Sequence, residues 1–137
     1  TYLSAKFTSD ATTGEPPLLV PKGARLPGVP MANAYGEITW SYPAAYGLVA
    51  GIEVQYAGKM YVNDRNTDAA PAYTIGNLRL GFEQRSGSWL FREFARLNNF
   101  TDRNYVGSVI VGDTNGRYFE PSATRNFLVG LSANASF

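Results

Sequence analysis

Residues 127–137 read FLVGLSANASF, with Phe127, Val129, Leu131, Ala133, Ala135 and Phe137 on one parity. Leu128, Gly130, Ser132, Asn134 and Ser136 fall on the other. A period of two, apolar on one side and mostly small or polar on the other, is the mark of a half-buried β-strand. The pattern predicts a strand over Arg125–Phe137 that runs into a terminal aromatic, where a soluble domain more often trails into disordered polar residues.

The same period recurs along the chain. Thr1–Phe7 sets Leu3, Ala5 and Phe7 against Tyr2, Ser4 and Lys6. Asn33–Tyr42 sets Ile38, Trp40 and Tyr42 against Glu37, Thr39 and Ser41, and Leu48–Gly58 sets Ile52, Val54 and Tyr56 against Glu53 and Gln55. Tyr73–Glu83 opposes Leu78, Leu80 and Phe82 to Asn77, Arg79 and Glu83. Trp89–Leu97 is the least regular, because Glu93 shares the parity of Trp89, Phe91, Ala95 and Leu97. Either Glu93 lies near an interface or a bulge shifts the register. Six strands follow, in an all-β chain.

The connections run long, short, long, short, long. Thr8–Ala32 holds five prolines between Pro16 and Pro30, which argue against regular pairing. Lys59–Ala72 and Asn98–Thr124 are also long, whereas Pro43–Gly47 and Gln84–Ser88 are brief turns. In an antiparallel meander the long connections then share one end of the strands and the short ones the other. Outer-membrane barrels have that asymmetry, with short periplasmic turns, long extracellular loops and aromatic girdles. Trp40, Tyr42, Tyr46, Phe82, Trp89 and Phe137 would gather at the short-turn end. Alternation by itself is equally compatible with a soluble barrel or sandwich, in which the apolar face is the core.

Composition removes several function classes. The chain of 137 residues has no Cys and no His, so disulfides, thiol chemistry, Ser-His-Asp hydrolysis and His-ligated zinc are excluded within it. A net charge of +1 gives no bulk electrostatic case for nucleic acid. No window approaches the apolar length of a transmembrane helix. The opening TYLSAKFTSD lacks a basic region followed by an apolar core, so the sequence reads as a fragment or processed piece with no signal peptide.

Gly23–Pro30 (GARLPGVP), Tyr61–Glu83 and the stretch from Arg96 through Val111 into Asn115–Phe137 resemble the C-terminal end of TonB-dependent outer-membrane receptors. The N-x-x-D-x-x-Y arrangement at Asn99, Asp102 and Tyr105 and the R-x-F-E-P run at Arg117–Pro121 carry most of the likeness. The resemblance implies a six-stranded antiparallel meander, the C-terminal part of a 22-stranded transmembrane β-barrel. Residues 1–137 would be one barrel segment, with the plug domain and earlier strands elsewhere. It also implies a location in the outer membrane of a Gram-negative bacterium and uptake of a ferric siderophore or similar bulky metal chelate, with no enzymatic activity. Implied partners are outer-membrane lipid, the TonB complex through the absent N-terminal region, and the barrel assembly machinery, which would read Phe137 as an assembly signal. A soluble ligand-binding β-barrel and an outer-membrane adhesin or enzyme barrel are the alternatives.

Candidate ligand contacts lie in the long connections. Arg65 and Arg117 offer planar, bidentate recognition of carboxylate-like oxygens, and Tyr105 and Tyr118 offer flat contact with a phenolic group. Arg103 and Arg125 are further loop cations. Asn99 and Asp102 suit local capping where a strand gives way to a loop. Asp64, Asp68 and Asp113 lack EF-hand spacing and read as solvated loop acids. No catalytic set, cofactor site or metal site emerges.

Overall fold

A computed structural model describes residues 1–44 and 46–136. Among them the regular structure is entirely β. The strands are β1 (Ala11–Thr13), β2 (Leu18–Val20), β3 (Asn33–Tyr42), β4 (Leu48–Ala57), β5 (Met60–Tyr61), β6 (Ala69–Ala70), β7 (Tyr73–Ser86), β8 (Trp89–Asn98), β9 (Val106–Val109), β10 (Phe119–Pro121) and β11 (Asn126–Ala135). The five long strands form one sheet in the order β11-β8-β7-β4-β3. Neighbours in the sheet are therefore neighbours among the long strands in sequence, as a meander requires.

Thr1–Phe7 is not a strand of that sheet. It runs extended beside residues 23–33 through Leu3 N–H to Met31 O (3.3 Å), Leu26 N–H to Ala5 O (3.1 Å) and Phe7 N–H to Ala24 O (2.9 Å). Only isolated bridges result, Tyr2 to Ala32 and Lys6 to Arg25, because Pro27 and Pro30 have no N–H with which to continue a ladder. The prolines do not suppress pairing altogether. Ala11–Thr13 pairs with Leu18–Val20, Met60–Tyr61 with Ala69–Ala70, and Val106–Val109 with Phe119–Pro121. Each long connection thus contains a short hairpin that satisfies its own backbone.

Trp89–Asn98 holds its register against both neighbours without interruption, from Leu78↔Leu97 to Ser86↔Trp89 on one side and from Asn126↔Asn98 to Ala135↔Trp89 on the other. No bulge rescues Glu93, which stands on the apolar face. The β7–β8 turn is tighter than the sequence suggests: Gly87 at φ 58° and Ser88 alone separate Ser86 from Trp89. The Pro43–Gly47 turn is closed by Gly47 N–H to Pro43 O (3.2 Å), with Tyr46 and Gly47 both at positive φ. Phe137, the expected end of the last strand and of the aromatic girdle, lies outside the described residues.

The chain packs as two compact units. One comprises Thr1–Ala34, Tyr56–Thr74 and Asn104–Ser122, and the other Tyr35–Gln55, Ile75–Arg103 and Ala123–Phe137. In the first, Val20, Val62 and Ala70 are buried. Its three segments interlock through Gly58 N–H to Ala32 O (2.7 Å), Gly28 N–H to Tyr61 O (2.9 Å) and Gly112 N–H to Val62 O (2.9 Å).

The second unit is two-faced. One face stacks cross-strand rows such as Leu78–Leu97–Phe127 and Leu80–Ala95–Val129. These apolar side chains are bare, with Phe127 79% and Val129 67% exposed. The other face is polar and bonded. Glu37 pairs with Arg79, Glu53 with Arg96 (2.5 Å) and Glu83 with Arg92 (2.8 Å). Among the described residues, buried positions here include Glu53, Asn77 and Asn99, beside only one apolar side chain, Ile75. A soluble domain buries the opposite set.

Candidate functional site

The candidate ligand residues all lie in the first unit, on turns that the chain pins from behind. Arg65 sits in a turn of 63–67 where Asn63 Oδ1 accepts the Thr67 N–H (3.1 Å) and Asn63 Nδ2 donates to Thr67 Oγ1 (2.8 Å). Beside it Asn66, at φ 55°, aims its amide at the backbone of Arg25. Arg25 N–H donates to Asn66 Oδ1 (2.6 Å) and Asn66 Nδ2 donates to Arg25 O (2.8 Å). Asn tolerates the left-handed region, and its amide reproduces a backbone's donor and acceptor, so one side chain acts as a missing strand residue. Arg65 itself is exposed and in no ion pair among the described residues.

Arg117 and Tyr118 occupy the return arm of the β9–β10 hairpin. Asp113 Oδ2 accepts the Arg117 N–H (2.7 Å) and Ile110 N–H donates to Tyr118 O (2.9 Å). Asp113 therefore serves the turn. The Arg117 guanidinium is exposed and also in no ion pair among the described residues. The Tyr118 ring meets Phe119 edge-on at 6.3 Å between centroids. Across the same hairpin the Ser108 hydroxyl donates to Glu120 Oε2. The Gly112–Val62 bond links this hairpin to the segment that leads into the Arg65 turn.

Tyr105 is committed elsewhere. Its ring packs on Tyr73 at 4.3 Å between centroids, tilted 41°, and its carbonyl accepts the Ser122 N–H (3.1 Å). Tyr73 also borders a cavity of about 340 Å³ in this unit, with Met60, Ala70, Val106 and Ser108 among its walls. Arg65, Arg117 and Tyr118 do not line it. Sequence reasoning passed over Tyr73 because its parity marked it only as the start of a strand.

Asn99 and Asp102, in the second unit, are joints. Asn99 is 2% exposed, its N–H donates to Asn77 Oδ1 (2.9 Å), and its Oδ1 accepts from the Arg103 N–H (3.0 Å) and Thr101 Oγ1 (3.2 Å). Its Nδ2 donates to Arg103 O (2.8 Å). Asp102 accepts the Arg125 N–H (3.0 Å) and its guanidinium (3.4 Å). Both take positive φ, 47° and 53°. Asp64, Asp68 and Asp113 join no metal-binding cluster, and no group of three or more potential metal ligands occurs among the described residues.

No protein-family model matches the chain. In an alignment of 115 positions that covers 79% of the chain, it is 31% identical to the ferrioxamine receptor of Yersinia enterocolitica. It matches a segment of a TonB-dependent siderophore receptor. BauA, the ferric preacinetobactin receptor of Acinetobacter baumannii, shares the fold of this receptor segment, with a TM-score of 0.71 over 82% of the chain at 18% identity. The segment spans 14% of the length of the ferrioxamine receptor and 16% of the preacinetobactin receptor chain. Both relatives are receptors.

Proposed function

We propose that this chain forms the C-terminal wall and part of the extracellular rim of a 22-stranded outer-membrane barrel that takes up a ferric siderophore or similar bulky metal chelate. The observation that carries this reading is the inverted burial of the five-stranded sheet. Its polar face is cross-linked by Arg–Glu pairs, as a water-filled lumen permits, while Phe127, Val129 and Leu131 stand bare on the other. In a membrane barrel the apolar face meets lipid and the polar face lines the interior. A plug domain and the TonB-contacting region belong to the remainder of such a receptor.

In this reading the turns carrying Arg65 and Arg117 present their guanidinium groups outward, unneutralised, to an anionic chelate. Tyr118 adds a flat surface on the same hairpin, and Tyr105 with Tyr73 forms an aromatic pair below. Substituting Arg117 and Tyr118 by Ala in the complete receptor should weaken chelate binding by about 1–3 kcal/mol. Unchanged affinity at a normal surface level would remove both residues from the rim. Phe137 is proposed to act in assembly: its deletion should lower the amount of folded receptor in the membrane and leave the affinity of the remainder intact.

A further inference from the structure

The five-stranded sheet contains four glutamates, and three of them, Glu37, Glu53 and Glu83, each meet an arginine on the polar face. Glu93 is the exception. It stands on the apolar face, with Phe82 and Leu131 as cross-strand neighbours and Leu80, Gln84, Val129 and Ala133 on its diagonals. None of these is a cation, and Glu93 makes no ion pair among the described residues. The nearest arginines in sequence, Arg92 and Arg96, point to the other face, where they pair with Glu83 and Glu53.

Glu93 has instead a single neutral partner. Gln84 Nε2 lies 3.3 and 3.4 Å from its two carboxylate oxygens. Gln84 belongs to the next row toward the β7–β8 turn, so the amide holds the carboxylate toward that end of the strands. On the same face of β8, between Glu93 and the turn, Trp89 and Phe91 stack at 6.0 Å with their planes 15° apart. An unneutralised carboxylate followed along the strand by the half-buried Phe91 and then the exposed ring of Trp89 offers the chemistry that recognises an alkylammonium: the carboxylate takes its N–H bonds and charge, and the aromatic π-faces attract the cation.

From this arrangement we infer a phospholipid headgroup site, made by Glu93, Gln84, Trp89 and Phe91, that selects lipids carrying a primary ammonium. The inference rests on the barrel reading, which turns this face to the bilayer. A carboxylate left without a cation on a lipid-facing strand is costly, and the headgroup layer at the short-turn end can supply the missing charge. A primary ammonium donates hydrogen bonds to Glu93, which a quaternary one cannot, so phosphatidylethanolamine should outrank phosphatidylcholine. Phosphatidylglycerol, which offers no cation, should come last.

The test uses the complete receptor in vesicles, with a bimane probe on Ala133→Cys in a cysteine-free background. Ala133 is exposed on the same face and diagonal to Glu93. Quenching by each of the three lipids, brominated on its acyl chains, gives relative association constants at that spot. Phosphatidylethanolamine should be favoured over phosphatidylglycerol by about threefold to tenfold. Glu93→Gln should abolish the preference, while Glu93→Asp, which keeps the charge, should retain part of it. Equal quenching by all three lipids, or a preference that survives Glu93→Gln, would overturn the site while leaving the barrel reading intact. Quenching by none of them would mean that the face is covered by protein, overturning both.

Discussion

Arg79 on β7 pairs with Glu37 on β3, reaching across the full width of β4 that lies between them. Gly51 makes the crossing possible. A Cβ at Gly51 would stand 2.6 Å from Arg79 Nε and 2.9 Å from its Cγ, so the side chain lies flat in the groove that the glycine leaves. Glu37 is itself held by the Tyr35 and Thr39 hydroxyls, both at 2.8 Å. The Arg96–Glu53 pair spans β7 in the same manner, with Asn77 donating to the same carboxylate (3.3 Å). Such pairs tie non-adjacent strands together on the polar face.

Gly51→Ala should push Arg79 out of its groove and uncouple it from Glu37. Because the pair is exposed to solvent, the loss of stability should be small. Its signature is in coupling: Glu37→Gln should alter unfolding less in the Gly51→Ala background than in the parent protein, the remainder coming from the Tyr35 and Thr39 bonds. A double-mutant cycle read by denaturant unfolding in lipid checks this.

Gly130 should tolerate a side chain only if Phe94 gives way. The two residues face each other across β11 and β8, and a Cβ on Gly130 would run into the Phe94 ring. Gly130→Ala should destabilise mildly, because the Phe94 ring is 48% exposed and can turn aside. Combining it with Phe94→Ala should restore part of that loss, an interaction that unfolding of the two single variants and the double variant would reveal.

Asn66→Ala should loosen the Thr8–Ala32 connection without disturbing the sheet. It leaves the Arg25 N–H and C=O without their partner and places Ala at a positive φ, a change of about 1–3 kcal/mol in local stability. Limited proteolysis should then cut within residues 21–28 sooner than in the parent protein. Asn66→Gly, which relieves the backbone but also lacks the amide, should show most of the same sensitivity.

Asn99→Ala and Asn99→Asp should separate. Ala leaves the Arg103 N–H without its acceptor, deprives Thr101 of its own and takes a positive φ, at about 1–3 kcal/mol. Asp keeps both acceptances and tolerates positive φ, but in place of the Nδ2 bond it sets a carboxyl oxygen against Arg103 O, a contact that a retained proton relieves. Thermal unfolding of the refolded receptor should rank the parent above Asn99→Asp and Asn99→Ala last.

The strands were legible because alternation is a local property that side-chain sorting across a sheet enforces. Asn33–Tyr42, Leu48–Ala57, Trp89–Asn98 and Asn126–Ala135 match the sequence reading to within one or two residues at their described ends, and Tyr73–Ser86 exceeds it by three. Asn99 and Asp102 were legible as joints for a similar reason: short polar side chains bond their own neighbourhood. The N-terminal segment was not, because alternation over Thr1–Phe7 says that it is extended and not which backbone it will meet.

Arg65, Arg117 and Tyr118 were singled out as candidates by residue type and loop position, and they lie on turns stapled by Asn63 and Asp113. Tyr73 was missed because its role depends on Tyr105, more than thirty residues away along the chain. Glu93 was an open question for the opposite reason. The parity was visible, but whether a bulge would turn the side chain over depends on hydrogen bonds with β7 and β11, which no local pattern encodes.

The amino-acid sequence determined by itself that this chain is all-β, which parity of each long strand is apolar, and which connections are long. Those properties follow from side-chain period and turn chemistry, which act within a few residues. Tertiary structure decided the rest: that Gly51 is the passage for Arg79, that Asn66 stands in for a strand beside Arg25, and that Glu93 remains on the apolar face without a cation. Each depends on which distant backbone closes against which, a choice made by the combined hydrogen bonding and packing of segments far apart in the chain.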